Sequence, residues 1–320
     1  MLMRYAFVVF FFTVSMLAVS MVEPLSEIKT KGIVKDMVLN ESKLIIGTDN
    51  GLLQVYDTRS ETFVKEIRLE NIKDFMGDEI PTRVFSVDAY EGKYVLLSDS
   101  GKGGYTNMWL HENNQTIPLL TAENKQATIK ARFIDNTHIL LGLLGNEAVL
   151  FDVVKKKEVY RVQLSESKFS DFALNLDRSQ AVFSCESGIL NVIDTETGKV
   201  LHVLQGQNVD NVYKVDFKQD IISAAGQDRR AALYDVKSKN DSYIQGSFLI
   251  YATALSPSTK RVAFSMDEAN NISVFNRSTK TKMALLKGQK STLNTIIFQD
   301  EKSLFSSSDD DSIMVWKLNQ

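Results

Sequence analysis

Past residue 22 the apolar residues come in short runs bounded by Gly, Asn, Asp or Ser, and no helical apolar period is sustained. Runs of this length, rich in β-branched and aromatic residues, are read as strands. The segment ending at Trp316 gives three: LNTIIFQDE, KSLFSSS and SIMVWKL. The segment around Ile193 gives four: FSDFALNLD, QAVFSCESG, ILNVIDTETG and KVLHVLQG. Pro24, Pro81, Pro118 and Pro257 sit at or near run boundaries, where a residue without an N–H is tolerated. The chain past residue 22 is therefore predicted to be almost entirely β.

One pattern recurs: two or three apolar residues around a bulky one, then usually a polar residue and a charged or Thr/Ser-rich turn. It reads LLQVYDTRSET, TNMWLHENNQ, AVLFDVVKKKE, ILNVIDTETGK, AALYDVKSKN, NISVFNRSTKT and IMVWKLNQ. The bulky centres are Tyr56, Trp109, Phe151, Ile193, Tyr234, Phe275 and Trp316, separated by 53, 42, 42, 41, 41 and 41 residues. Four short strands at this period make a β-propeller blade, so seven centres predict an all-β, seven-bladed β-propeller. A solenoid would need capping units at its ends, and none is visible. Two segments lengthen the first interval, residues 70–83 (ENIKDFMGDEIPTR) and 99–106 (DSGKGGYT). Both are expected as loops, where departures from a repeat map to a binding face.

The last unit shows only three strands, whereas TFVKEIRLE follows Tyr56 as a fourth. An unpaired edge invites association. PLSEIKTKG, residues 24–32, belongs to no complete unit. It is predicted to supply the outer strand of the last blade and so close the ring.

GTDNGLLQVYD (residues 47–57) and SSSDDDSIMVWK (306–317) resemble the signature of WD40 repeats, and LLKGQKSTLNTIIF (285–298) resembles that family's linker between blades. The resemblance covers residues from about 25 to 320. It implies a WD40-like propeller. Where that family carries Gly-His, this chain has Gly206-Gln207 and Gly288-Gln289. The hydrogen-bond network through that His is thus expected to be absent or modified.

Composition narrows the class further. Apolar content is 44%, charged content 24%, and the formal net charge −3, which gives no basic footprint for nucleic acid. MLMRYAFVVFFFTVSMLAVS carries one charge, Arg4, and then an apolar run. The run is shorter than the ~20 residues a membrane span needs. Ala18 and Ser20 suit cleavage after Ser20, so residues 1–20 are expected to be a secretory signal peptide. Residues 21–320 are expected to form a single domain with no stable membrane span. Cys185 is the only cysteine; AVFSCESG places it in a buried strand. A secreted chain without disulfides suits a periplasm.

Candidate chemistry is sparse. His111, His138 and His202 occupy different places in their units, so neither a metal site nor a general base is expected. GKGG lacks the Ser/Thr and helix of a phosphate loop and reads as a hairpin turn. Asp309, Asp310 and Asp311 read as turn caps. DTETGKV is similar to a piece of quinoprotein propeller repeats, but the tryptophans Trp109 and Trp316 lie elsewhere and the stretch also makes a good hairpin turn. No cofactor and no catalytic constellation are expected. Two features suit a partner surface. Arg229 and Arg230 are expected on the rim of the central channel. Asp74, Phe75, Met76, Asp78 and Ile80 place apolar and acidic residues on one exposed loop.

The leader, the seven degenerate units and VDFKQDIISAAGQDRRAALYDVKS together resemble the NapL family, the WD-repeat accessory proteins encoded with periplasmic nitrate reductase in Campylobacter-type bacteria. That resemblance implies a non-enzymatic, periplasmic scaffold supporting maturation or activity of a molybdenum nitrate reductase and its electron-transfer components. The residues alone point to a monomeric protein-interaction module. They leave open a propeller enzyme or small-ligand binder using the central channel, and an outer-membrane protein assembly scaffold.

Overall fold

The computed structural model describes residues 19–319; the expected leader lies almost wholly outside the described residues. The described chain is built of strands, with one short 3-10 turn at Ala122–Asn124. Seven sheets, each containing a four-stranded antiparallel array, form the blades of a propeller. Blade 1 comprises Val34–Asn40, Lys43–Thr48, Leu52–Asp57 and Thr62–Arg68, and blade 2 comprises Val84–Tyr90, Lys93–Asp99, Thr106–Glu112 and Gln115–Leu120. Blades 3, 4 and 5 repeat the order from Thr128, Phe169 and Val212. Blade 6 starts at Thr253 and blade 7 at Leu293. Every bulky centre falls in the third strand of its blade.

The burial pattern explains the sequence pattern. Second strands lie between neighbouring sheets and are buried on both faces; Ile221–Gly226 is buried at every residue. Such strands read as continuous apolar or small-residue runs. Fourth strands lie on the rim and alternate, as Lys157–Gln163 does. The core sits between blades. Val95, Leu97 and Met108 of blade 2 pack with Phe133, Leu141 and Phe151 of blade 3. A Cβ on Gly142 would lie 2.6 Å from the Phe169 ring, so bare backbone in blade 3 receives the first aromatic of blade 4.

The ring closes as expected. Ser26–Lys29 pairs antiparallel with Ser312–Lys317, in the register Ser26↔Val315 to Lys29↔Ser312. Leu25 N donates to Val315 O at 2.7 Å, and Thr30 N to Asp311 O at 2.9 Å. Ile28 is buried with Val34, Met37, Phe305 and Ile313, which span blades 7 and 1. A second addition has no counterpart in the sequence pattern. Ser20–Val22 pairs in parallel with Lys282–Leu286 as a fifth strand of blade 6, burying Val22.

The missing Gly-His network is modified rather than lost. Gln289 Nε2 donates to Ser308 Oγ at 2.6 Å, Ser306 Oγ donates to Gln289 Oε1 at 2.7 Å, and Trp316 Nε1 donates to Ser306 Oγ at 2.8 Å. An amide offers a donor and an acceptor in one side chain, as imidazole does. In blade 5 the role falls to Asn208, whose Nδ2 donates to Asp228 at 3.3 Å and whose N–H donates to Tyr234 Oη at 3.1 Å.

Charges reinforce the closing strand. Glu27 accepts from Ser312 Oγ, pairs with Lys29 at 2.9 Å and with Lys290 at 3.1 Å. These bonds, Ser312 first, hold its carboxyl at about 2 rather than 4.5. A depressed carboxylate stabilises the fold above its unfolded value and loses that contribution as pH falls through the folded one. Stability should therefore decline between about pH 4.5 and 2. Glu27→Gln should flatten that limb of a Tm-against-pH curve; curves of identical shape would show that the clasp does not titrate.

Candidate functional site

The two long insertions meet. Residues 70–83 leave blade 1 and form a small hairpin, Ile72–Lys73 paired with Glu79–Ile80. Asp74 builds its turn: Oδ1 accepts from the N–H groups of Met76 and Asp78, each at 2.9 Å, and the carbonyl accepts from Gly77 N at 3.1 Å. With the acid turned inward, the tip side chains are thrust outward. Phe75 is 91% exposed and Met76 71%. Ile80 is partly exposed beside them. The 99–106 turn buttresses the hairpin. A Cβ on Gly101, which has φ +71°, would lie 2.1 Å from Lys73 O, so only glycine allows that approach. Arg83 pairs with Asp99 at 3.0 Å and ties the two bases together.

Connections after the second and fourth strands of each blade emerge on one face, because the strands alternate in direction. The hairpin and the Arg229–Arg230 turn share that face but belong to blades three positions apart, so they form no single patch. Neither arginine is among the residues lining the channel cavity. Arg229 adopts the left-handed conformation of the turn, with φ +63°. Arg230 lies over the Tyr243 ring, 4.6 Å from its centroid, and donates to Gln207 O at 3.1 Å. The attraction of guanidinium for an aromatic face draws it toward the fourth, outer strand.

The channel holds chemistry that sequence reasoning missed. First strands from all seven blades line a cavity of about 430 Å³. Four ion pairs stand in its wall: Arg132–Asp36 at 2.9 Å, Arg178–Asp88 at 3.0 Å, Lys130–Asp171 at 2.6 Å and Lys218–Asp216 at 3.3 Å. Each of these carboxylates also accepts an N–H from the following blade: Val87 to Asp36, Phe133 to Asp88, Val215 to Asp171 and Leu255 to Asp216. The acids therefore bolt neighbouring blades together. Burial pushes the Asp36 carboxyl up, but Arg132, Lys130, Lys214 and the Val87 amide outweigh it and hold it below the ordinary value. The signal was present in VKDMV, SVDAY, IKARF, FSDFA and YKVDF, where charges interrupt apolar first strands. Each fragment contributes only one or two, so local spacing shows nothing.

The remaining motifs serve turns. Asp310 accepts from Ser308 Oγ and Ser312 N, and Asp194 from Thr197. Cys185 is buried. The histidines lie in blades 2, 3 and 4. Among the described residues no helix is long and apolar enough to cross a membrane.

No protein-family model matches the chain, and no curated protein matches it. Among solved structures it is similar to the β-propeller domain of Cps50 (Swd1) from Myceliophteria thermophila. The TM-score is 0.72 at 14% identity, covering 93% of this chain and 100% of that one. Solved chains that match number 1861, so the likeness establishes the propeller fold and no particular activity.

Proposed function

We propose that the chain is a non-enzymatic protein-interaction scaffold that docks its partner on the hairpin of residues 70–83. The exposure of Phe75 and Met76 on a turn organised by Asp74 carries this reading. Large apolar side chains held outward on a rigid turn lose little freedom on binding and make good anchors. Asp78 and Glu79 beside them suit a partner surface with an apolar notch and a basic edge. The sequence resemblance to the NapL family supports a periplasmic molybdenum nitrate reductase, or its electron-transfer components, as that partner. The leader-like residues 1–20 support export to the periplasm.

The test compares the wild type with Phe75→Ser/Met76→Ser in isolation of the complex with reductase components. The double variant should keep its Tm within about 1 °C, because fully exposed positions contribute little to stability. Its affinity should fall at least about tenfold. Equal affinity would remove the hairpin from the interface. Turnover of a small molecule by the purified protein would replace the scaffold reading with an enzyme.

A further inference from the structure

The channel wall carries one cation more than its four ion pairs consume. Lys214, on the first strand of blade 5, lines the same cavity. Its closest carboxylate contact is Asp171 Oδ1 at 4.0 Å, and that oxygen already receives Lys130 at 2.6 Å. The other Asp171 oxygen receives the Val215 amide. Among the described residues the Lys214 ammonium makes no hydrogen bond within the protein, although its side chain is only 32% exposed. Two ammonium groups thus approach one carboxylate oxygen from different blades. Blades 6 and 7 complete the lining with residues such as Ala252, Thr253 and Thr295, none of which carries charge.

We infer that the channel binds one small oxyanion, inorganic or carboxylate, held between the ammonium groups of Lys214 and Lys130. Lysine offers three donors and Lys130 gives one to Asp171, so donors from both side chains remain for a ligand. A site of this kind, ringed by first strands of all seven blades, strengthens charge-assisted bonds relative to bulk water.

The protonation of Lys130 supports the same geometry. Burial lowers its pKa to about 8. Asp171 on blade 4 and Asp36 on blade 1 oppose that shift, whereas Arg132 on its own strand and Lys214 on blade 5 add to it. A bound anion favours the charged amine and raises that value. Binding should therefore take up protons near pH 8, and affinity should fall as pH rises through that region.

Titration calorimetry of the purified protein with oxalate, and separately with inorganic phosphate, tests the site. At least one should bind at pH 7 with a Kd of about 1 mM or tighter. Lys214→Met should weaken it roughly tenfold or more, and Lys214→Arg should stay within about threefold. Lys214→Met should change Tm by no more than about 2 °C, because the ammonium makes no hydrogen bond within the protein and reaches Asp171 only at 4.0 Å; should it fail to fold, Lys214→Gln gives the same comparison. No binding of either anion to the wild type would overturn the site, as would unchanged binding in the Lys214 variants. Both readouts are independent of the hairpin, so the scaffold reading stands or falls separately.

Discussion

Deleting residues 23–31 is expected to abolish the folded ring. The deletion removes Ser26–Lys29, which forms the outer edge of blade 7. It takes Ile28 out of the cluster that seals blade 7 against blade 1. Burial of one such side chain contributes about 2 kcal/mol, and each backbone bond of the ladder about 1 kcal/mol. Together these approach the whole stability of an ordinary domain, about 5–15 kcal/mol. The loss also exposes an edge on Ser312–Lys317, which other copies can pair with. The shortened protein should therefore aggregate or lose its cooperative melt, as read by thermal denaturation and light scattering. A soluble variant with an unchanged Tm would show that the ring does not depend on the clasp. Ile28→Asp puts the same question with one substitution, since a charge forced into that apolar cluster should cost more than about 3 kcal/mol.

The second large effect is expected in the channel. Asp36→Ala leaves the Arg132 guanidinium buried without its carboxylate and strips the Val87 amide of its acceptor. Breaking a buried pair from one side costs about 3–5 kcal/mol, and replacing both partners by apolar groups costs far less. The single variant should lose roughly 5–8 °C in Tm. Asp36→Leu combined with Arg132→Met should recover most of that. A single variant within about 0.5 kcal/mol of wild type would mean that the acids do not join the blades. Additive losses in the double variant would mean that the two groups do not act as a pair.

The fold was legible because its information is local and repeated. Each third strand carries its bulky centre at the same place, so the interval of 41 or 42 residues between Phe151 and Trp316 marks the blades directly. The clasp was legible by subtraction, since residues 24–32 had no unit of their own and the last unit had no fourth strand. The strand at Ser20–Val22 was not. Three residues following an apolar run carry no alternation, and their parallel pairing to blade 6 comes from the ring bringing residues 20 and 284 together.

The candidate sites divide the same way. Phe75 and Met76 stood out because they are apolar in a segment outside the repeat, whereas Asp74, singled out with them as a contact residue, spends its carboxylate on the Met76 and Asp78 amides. Arg229 and Arg230 were conspicuous as a pair, yet backbone geometry claims one and Tyr243 the other. Lys130, Arg132, Asp171 and Lys214 were invisible singly. Their pairing spans blades, with Asp36 and Arg132 separated by 96 residues. Such a network becomes visible only when first strands are aligned around a common axis.

The proposed docking site is a single outward tip on one face of the ring. A photo-crosslinking side chain placed at position 75 probes it directly, with the same group at Val154 as control. Val154 is 72% exposed, matching Met76, and lies on the opposite face at the turn after the third strand of blade 3. In the native cells, position 75 should give one discrete adduct containing a reductase component, and position 154 none. Equal adducts at both positions, or no adduct at position 75, would contradict the scaffold reading.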